Sequence, residues 1–479
     1  MEYYTPAYTA DNSLLSYRIM LTDALGFTQN YDFTHRMANA AIIHTDGGGS
    51  VRVEGALHVE TESEGSGERT VALCMENCTL TAVPAAGTMF AGWYDGPQEY
   101  GHVFSTEQTY EYVPLGPLRH IYAVFQPATT ALDADGTANC YIARSLNTVY
   151  SFDAATMGNG RTTTNLWPSS LSGVAARVLW ETGTSSRTVI RDAVYENGRI
   201  VFTTGSARGN AVIGLFDASR NCIWSWHIWS VDYDIEATAQ TYASGAVFMD
   251  RNLGALSATG SDVTSRGLCY QWGRKDPFAY PAAEGGSAQY PLVYGEGFSY
   301  DCTDPMSGYG EMTVEYAAAH PWTFMGGVLT GDDRDDDAPD WLSPQHPNLW
   351  GNASTATALA DTGEKSIYDP CPPCWRVPDR RAFAEADLRS ASAATGYRLL
   401  YFSAASATAL YPLGGHRDAG GFTDNGKSGY AWTNAPAQYR SGTNYYKHYA
   451  AALGLSAAGI EPLARMPREK ALPVRCVRE

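Results

Sequence analysis

The chain has 479 residues, with 33 basic and 51 acidic side chains and a formal net charge of -18. A field of that sign repels polyphosphate and anionic lipid headgroups, which excludes nucleic acid as an expected partner. The length exceeds one ordinary core and calls for about three or four domains, and 31 Tyr, 12 Trp, 15 Phe and 47 Gly favour short strands and turns over long charged helices.

The expected fold class is therefore mainly β and multi-domain. No stretch approaches the roughly 18 consecutive apolar residues that a membrane-spanning helix needs, so no membrane span is expected. Cysteines stand at 74, 78, 140, 222, 269, 302, 371, 374 and 476, an odd number without the paired spacing and histidines of a zinc site.

Residues 1–45 contain an apolar run from Leu14 to Leu21, a polar segment from Thr28 to His35 and a second apolar run from Ala40 to His44. Two strands and a loop are predicted. The string from Ser16 to Thr45 resembles the last strands of a fimbrillin-type β-sandwich, which implies that more chain precedes Met1.

Residues 46–126 open on a glycine-rich turn, and Val51, Val53, Leu57 and Val59 then alternate as in half-buried strands. Leu80, Thr81, Ala82, Pro84, Phe90, Gly92, Trp93, Tyr94, Asp95 and Gly96, with Tyr122, Ala123 and Phe125, spell a pattern that resembles the divergent internalin-B-type repeat. The resemblance implies a small β-grasp-like module that spaces or presents other domains.

Residues 127–240 give strand-like runs at Cys140 to Ala143, Arg177 to Glu181, Thr188 to Tyr195, Ile200 to Thr204, Ala211 to Phe216 and Cys222 to Trp229. Asn197-Gly198 supplies the two positive φ angles of a type I′ hairpin turn. Short strands at regular spacing predict a β-sandwich. Period-2 geometry puts Trp224 and Trp226 on one face and His227 and Trp229 on the other, as expected for a strand covered on both sides.

Residues 241–479 carry AVFMDRNLGA, LCYQWGRKDPF, LWG, IYDPCPPCWRVPDRRAF, YPLGGHRD, SGYAWTN and LPVRCVRE in order. Together these resemble the FISUMP, or major paralogous, domain, which implies an α+β fold related to C-type lectins and to the sulfatase-modifying oxidases. A helix is predicted from Pro378 to Gly396, with Asp379 as N-cap and Gly396 as stop.

Several constellations carry chemistry. Cys371 and Cys374 form a C-x-x-C ahead of a helix, a spacing that can lower a thiol pKa. The resembling family has glycine in place of Cys374, and the expected role is structural: Cys371 or Cys374 pairs with Cys476. Asp332, Asp333, Asp335, Asp336 and Asp337 offer hard oxygen ligands to Ca²⁺ but lack the spacing of an EF-hand loop, so the run also reads as a solvated surface loop. No other cofactor is expected.

The tripeptides Glu461-Pro-Leu463 and Trp432-Thr-Asn434 depart from the calcium and sugar ligands of C-type lectins. Trp432 thus reads either as a core residue or as a ligand-stacking one. Trp272, beside Arg274 and Asp276, reads as core or as groove lining, and Tyr445 and Tyr446 as sugar-stacking rings or as an interface strand. No nucleophile elbow, zinc-protease helix or phosphate loop occurs.

The resulting expectation is a non-enzymatic protein at the bacterial cell surface, outer membrane or fimbrium, whose last module binds a glycan or a surface protein. Other fimbrial subunits are possible partners. The alternatives are a spacer or assembly subunit without its own ligand, and a sulfatase-modifier-like oxidase.

Overall fold

The computed structural model describes residues 14–22, 24–36, 38–115, 118–183, 185–280, 291–294, 303–304, 313–326, 340–355, 358–403, 406–419, 421–441 and 444–479. At 14–19, 32–36, 127, 291–292, 303–304, 438–441 and 444–447 the backbone alone is described. The fold is mainly β, with 48% strand and 4% helix arranged in several small sheets, none closed. Two compact units divide the chain, Met1–Ala128 and Thr129–Glu479.

In the first unit a six-stranded sheet runs in the order His58–Glu64, Gly67–Cys74, Asn39–Thr45, Leu118–Pro127, Thr88–Tyr94, Val103–Ser105. A three-stranded sheet of Thr109–Tyr112, Cys78–Pro84 and Gly49–Glu54 contributes to the same core. That core holds Ile43, Leu80, Ala82, Trp93, Ile121, Ala123 and Phe125, the apolar positions of alternating strands. The edge strand His58–Glu64 is exposed along its whole length and carries Glu60, Glu62 and Glu64, charges that discourage edge-to-edge pairing.

The polar segment expected as a loop near Thr28 to His35 is instead the strand Thr28–Arg36, paired antiparallel with Leu14–Thr22. Hairpin closure supplies the backbone partners there, so a strand forms without an apolar run. Cys74 and Cys78, which the sequence alone did not pair, stand at disulfide distance.

The second unit begins as a sandwich. One sheet runs Thr130–Ala131, Val149–Asp153, Arg199–Thr204, Ile190–Glu196, and the other Cys140–Ala143, Cys222–Ser230, Gly209–Phe216, Ala175–Thr182, Pro291–Val293. Tyr141, Phe152, Phe202, Ile213, Trp224 and Trp226 fill the space between them. Asn197 and Gly198 adopt φ of 50° and 80° between Ile190–Glu196 and Arg199–Thr204, the two left-handed residues a I′ turn requires.

The strand Cys222–Ser230 is covered on both faces. Trp224, Trp226 and Ile228 belong to the sandwich core, while Trp229 joins a second core with Trp272, Trp350, Trp375, Trp432, Leu472 and Cys476. Segments 127–240 and 241–479 thus share one apolar interior. His227 sits in the seam: its Nε2–H donates to Asn210 Oδ1 at 2.9 Å and its Nδ1 faces the Tyr270 hydroxyl at 3.4 Å.

Burial lowers the His227 pKa to about 3. The unfolded chain, with an ordinary histidine near 6.5, takes up a proton that the folded chain refuses, so stability falls as pH drops below about 6.5 and keeps falling toward about pH 3. At pH 5 this group is expected to cost about 2 kcal/mol relative to neutral pH. Denaturant midpoints for wild type and His227→Gln at pH 7 and pH 5 test it: the variant should lose markedly less, and parallel losses would refute the assignment.

The predicted helix from Pro378 to Gly396 is corrected. Asp379 is the N-cap, accepting the Ala382 N–H at 3.1 Å, but the helix spans only Arg380–Ala384. Asp387 at φ 47° interrupts it, and Arg389–Ala394 pairs with Tyr397–Tyr401 across a turn containing Gly396 at φ 86°. The stretch Arg389–Ala394 is exposed apart from one half-buried residue, so no apolar stripe remains to hold a longer helix against the core. Gly396 forms the turn of a hairpin rather than the end of a helix.

Candidate functional site

The loop around the two C-x-x-C cysteines is built by a buried ion pair. Lys365 Nζ reaches Asp369 Oδ1 at 2.8 Å and donates to the carbonyls of Cys371 and Trp375, both at 2.7 Å. Asp369 in turn accepts the N–H groups of Cys371 and Val377, both at 2.8 Å. Asn139 ties the loop to the sandwich, donating to the carbonyls of Ile367 and Asp369 while accepting the Trp224 indole N–H. Gly351 of the LWG triplet stands at φ 80°, where a Cβ would overlap the Glu364 carbonyl oxygen.

The sulfurs of Cys371 and Cys476 lie 2.04 Å apart with Cα atoms at 6.0 Å, disulfide geometry. Cys374 is an exposed free thiol. Partial burial and the neighbouring carboxylates of Asp135, Glu479 and Glu236 raise its pKa, the opposite of what a nucleophilic thiolate needs. The buried thiols Cys140, Cys222 and Cys269 are also raised, by desolvation first in each case.

Cys374 occupies φ 63°, a left-handed conformation that disfavours any side chain. Cys374→Gly removes that penalty and gives back part of it as extra freedom of the unfolded chain, a net stabilisation of about 0.5–1 kcal/mol. A higher denaturant midpoint for Cys374→Gly checks this, and a lower one would contradict it.

The YQWGRKDPF motif is interior. Arg274 donates to Gln271 Oε1 and to the carbonyls of Thr323, Ala317 and His320, gripping the end of the helix Val314–Ala319. Lys275 Nζ reaches Asp276 Oδ1 at 2.6 Å and lies over the Trp224 ring. Trp272 and Trp432, candidates for ligand stacking, are fully buried, and their indole N–H groups donate to the carbonyls of Thr433 and Tyr270. Neither presents a ring to a ligand. Asn434 is also buried, with its backbone N–H on Pro378 O.

Tyr445 and Tyr446 lie in the strand Asn444–Ser456, opposite Arg440 and Tyr439 of Gly429–Ser441, near the closed end of a long hairpin. The aspartates 332, 333, 335, 336 and 337 lie outside the described residues. Among the described residues no group of three His, Cys, Asp or Glu is placed to hold a metal ion.

Where that hairpin meets the segment 345–355, a groove of about 430 Å³ opens. Asn165, Gln345, His346, Asn348, Ser354 and Thr355 supply its polar wall, and Leu359, Pro347, Pro436 and Ala437 its apolar one. Arg468 also borders it, but its guanidinium pairs with the buried Asp340 at 3.5 Å, donates to Tyr449 O and covers the Trp272 ring at 4.3 Å. The amides are pinned: Asn165 Nδ2 donates to Asn348 Oδ1 at 3.0 Å, Asn348 Nδ2 to the carbonyls of Asn352 and Ser354, and Gln345 Nε2 to His448 Nδ1 at 2.6 Å.

The chain matches no family model, no curated protein and no solved structure.

Sequence reasoning missed the groove because its walls come from residues 165, 345–348, 354–355, 359, 436–437 and 468, far apart along the chain. It also passed over Trp167, which is 69% exposed although the other indoles of this unit are interior apart from the half-buried Trp322. A tryptophan embedded in the polar string Thr-Asn-Leu-Trp-Pro-Ser was the available signal. In the first unit a further polar row went unnoticed: Glu64 Oε2, His44 and His120 are joined by contacts of 2.7 and 3.0 Å, with the Tyr122 ring stacked on His44.

Proposed function

We propose that this is a non-enzymatic surface or fimbria-associated protein that binds a glycan or a surface protein through its last module, at the groove between the segment 345–355 and the hairpin of Gly429–Ser441 and Asn444–Ser456. The observation that carries the reading is the lining of that groove: pinned amides and hydroxyls on a rigid frame, beside apolar surface, a mixture suited to fixing the orientation of a polar ligand. The nearby charges are spent on each other or on aromatic rings, and among the described residues the thiols of this module are disulfide-bonded, buried or raised in pKa. This arrangement favours binding over turnover.

The order of motifs supports assignment of the module to the FISUMP class, and of residues 46–126 to the internalin-B-type repeats. Two cysteine pairs at disulfide distance are compatible with an oxidising, extracellular setting. Among the described residues no helix is long and apolar enough to cross a membrane.

An array of neutral and acidic glycans probed with the whole chain, alongside capture of purified surface proteins, tests the reading. Saturable binding that Gln345→Ala weakens supports it. Failure to bind on both platforms returns the chain to the role of a spacer or assembly subunit.

A further inference from the structure

The ligand class follows from the groove's chemistry and from the tryptophan beside it, an inference that rests on the binding function proposed above. The turn Thr163 to Leu166 is closed by two backbone hydrogen bonds between its ends, at 3.0 and 3.1 Å. Leu166 anchors it in a core with Met325, Trp341, Ile367 and Leu349, the last next in sequence to the groove-lining Asn348. Asn165, at φ 59°, turns into the groove, and Trp167 follows two residues later, within about 7 Å of backbone. The turn therefore carries an exposed indole two residues from a groove-lining one, where an ordered backbone keeps the cost of immobilising it on binding small.

The groove offers hydrogen bonds without free charge. Arg468 is occupied by Asp340 and Trp272, and burial lowers the pKa of His346, keeping it neutral at physiological pH. Asn165 and Gln345 each commit one amide N–H to a neighbour, and among the described residues no donor meets their side-chain oxygens. Their amides can both donate to and accept from hydroxyl groups. The net charge of -18 further disfavours an anionic ligand.

We propose that this groove is a subsite for an uncharged hexopyranose residue of a glycan, with Trp167 stacked on the sugar's C–H face and Asn165 and Gln345 exchanging hydrogen bonds with its hydroxyls. A pyranose presents one apolar C–H face and a rim of hydroxyls, complementary to a flat ring beside a wall of amides.

The experiment compares the whole chain with Trp167→Ala, Trp167→Phe and Asn165→Gly. Trp167 is exposed and Asn165 already holds a glycine-like backbone angle, so all three are expected to fold, which circular dichroism verifies. The probes are arrayed neutral hexose oligosaccharides and their sulfated or uronic acid counterparts, followed by calorimetric titration of the best neutral one. Trp167→Ala should weaken binding about tenfold or more, and Trp167→Phe should recover much of the loss. Asn165→Gly should weaken it several-fold.

Wild-type affinity in folded Trp167→Ala, or binding confined to the acidic glycans, overturns this subsite while leaving a ligand-binding module in place. Absence of binding to every glycan overturns the subsite, and absence of a protein ligand as well removes the broader reading.

Discussion

Asp369→Ala is expected to destabilise the second unit by about 3–5 kcal/mol, because it leaves the buried Lys365 ammonium without its anion. The loss extends beyond the pair. Asp369 also satisfies the buried N–H groups of Cys371 and Val377, and orphaning a buried donor carries the full cost of its desolvation. Lys365 would keep only the carbonyls of Cys371 and Trp375, which can orient a cation but not neutralise it. Replacing both partners with apolar residues of similar size, Lys365→Met with Asp369→Leu, should recover part of the loss by removing the stranded charge. Denaturant midpoints for the single and double variants measure the difference; a single-variant loss below about 1 kcal/mol would show that water reaches the pair.

Removal of the Cys371–Cys476 bridge by Cys371→Ala with Cys476→Ala is the second large effect. The bridge closes a segment of sequence separation 105, and the chain-entropy account gives about 4–5 kcal/mol for constraining so long a loop in the unfolded state. Both residues are fully buried, so the truncated side chains add a small packing loss. Equilibrium unfolding under non-reducing conditions should show the drop. Alkylation of the native protein followed by mass mapping should label Cys374, the exposed thiol among the described residues, and leave 371 and 476 unmodified. Labelling at 476 would overturn the pairing.

Local chemistry was legible where residues adjacent in sequence decide the structure. The Asn197-Gly198 turn, the Asp379 cap, the strand Cys140–Ala143 and the two-faced packing of Trp224 to Trp229 all depend on φ preference or side-chain period, which a few neighbouring residues fix. The helix expected to reach Gly396 failed for the complementary reason. Its N-terminal signal was local and real, but its length depended on an apolar face that the stretch Arg389–Ala394 does not provide, and on a strand partner at Tyr397–Tyr401.

The cysteines mark the same division. Sequence placed a cysteine at Cys371 and another three residues later, and left open which of them pairs with Cys476. Choosing between them took the backbone: Asp369 holds the amide of Cys371 inside, while φ 63° at Cys374 carries that side chain out to solvent.

By itself, then, the sequence determined a mainly β chain, most strand positions of the sandwich, the interior character of its tryptophan-rich strand and the absence of local catalytic motifs. Tertiary structure alone decided that Trp272 and Trp432 are core rather than surface, that the segments on either side of residue 240 share one interior, and that Asn165, Gln345 and Asn348 meet in one groove. The physical reason is range: dihedral preference and side-chain period act over a few residues. Burial and the shape of a groove depend on which distant segments pack together, and that is settled by the collective burial of apolar surface.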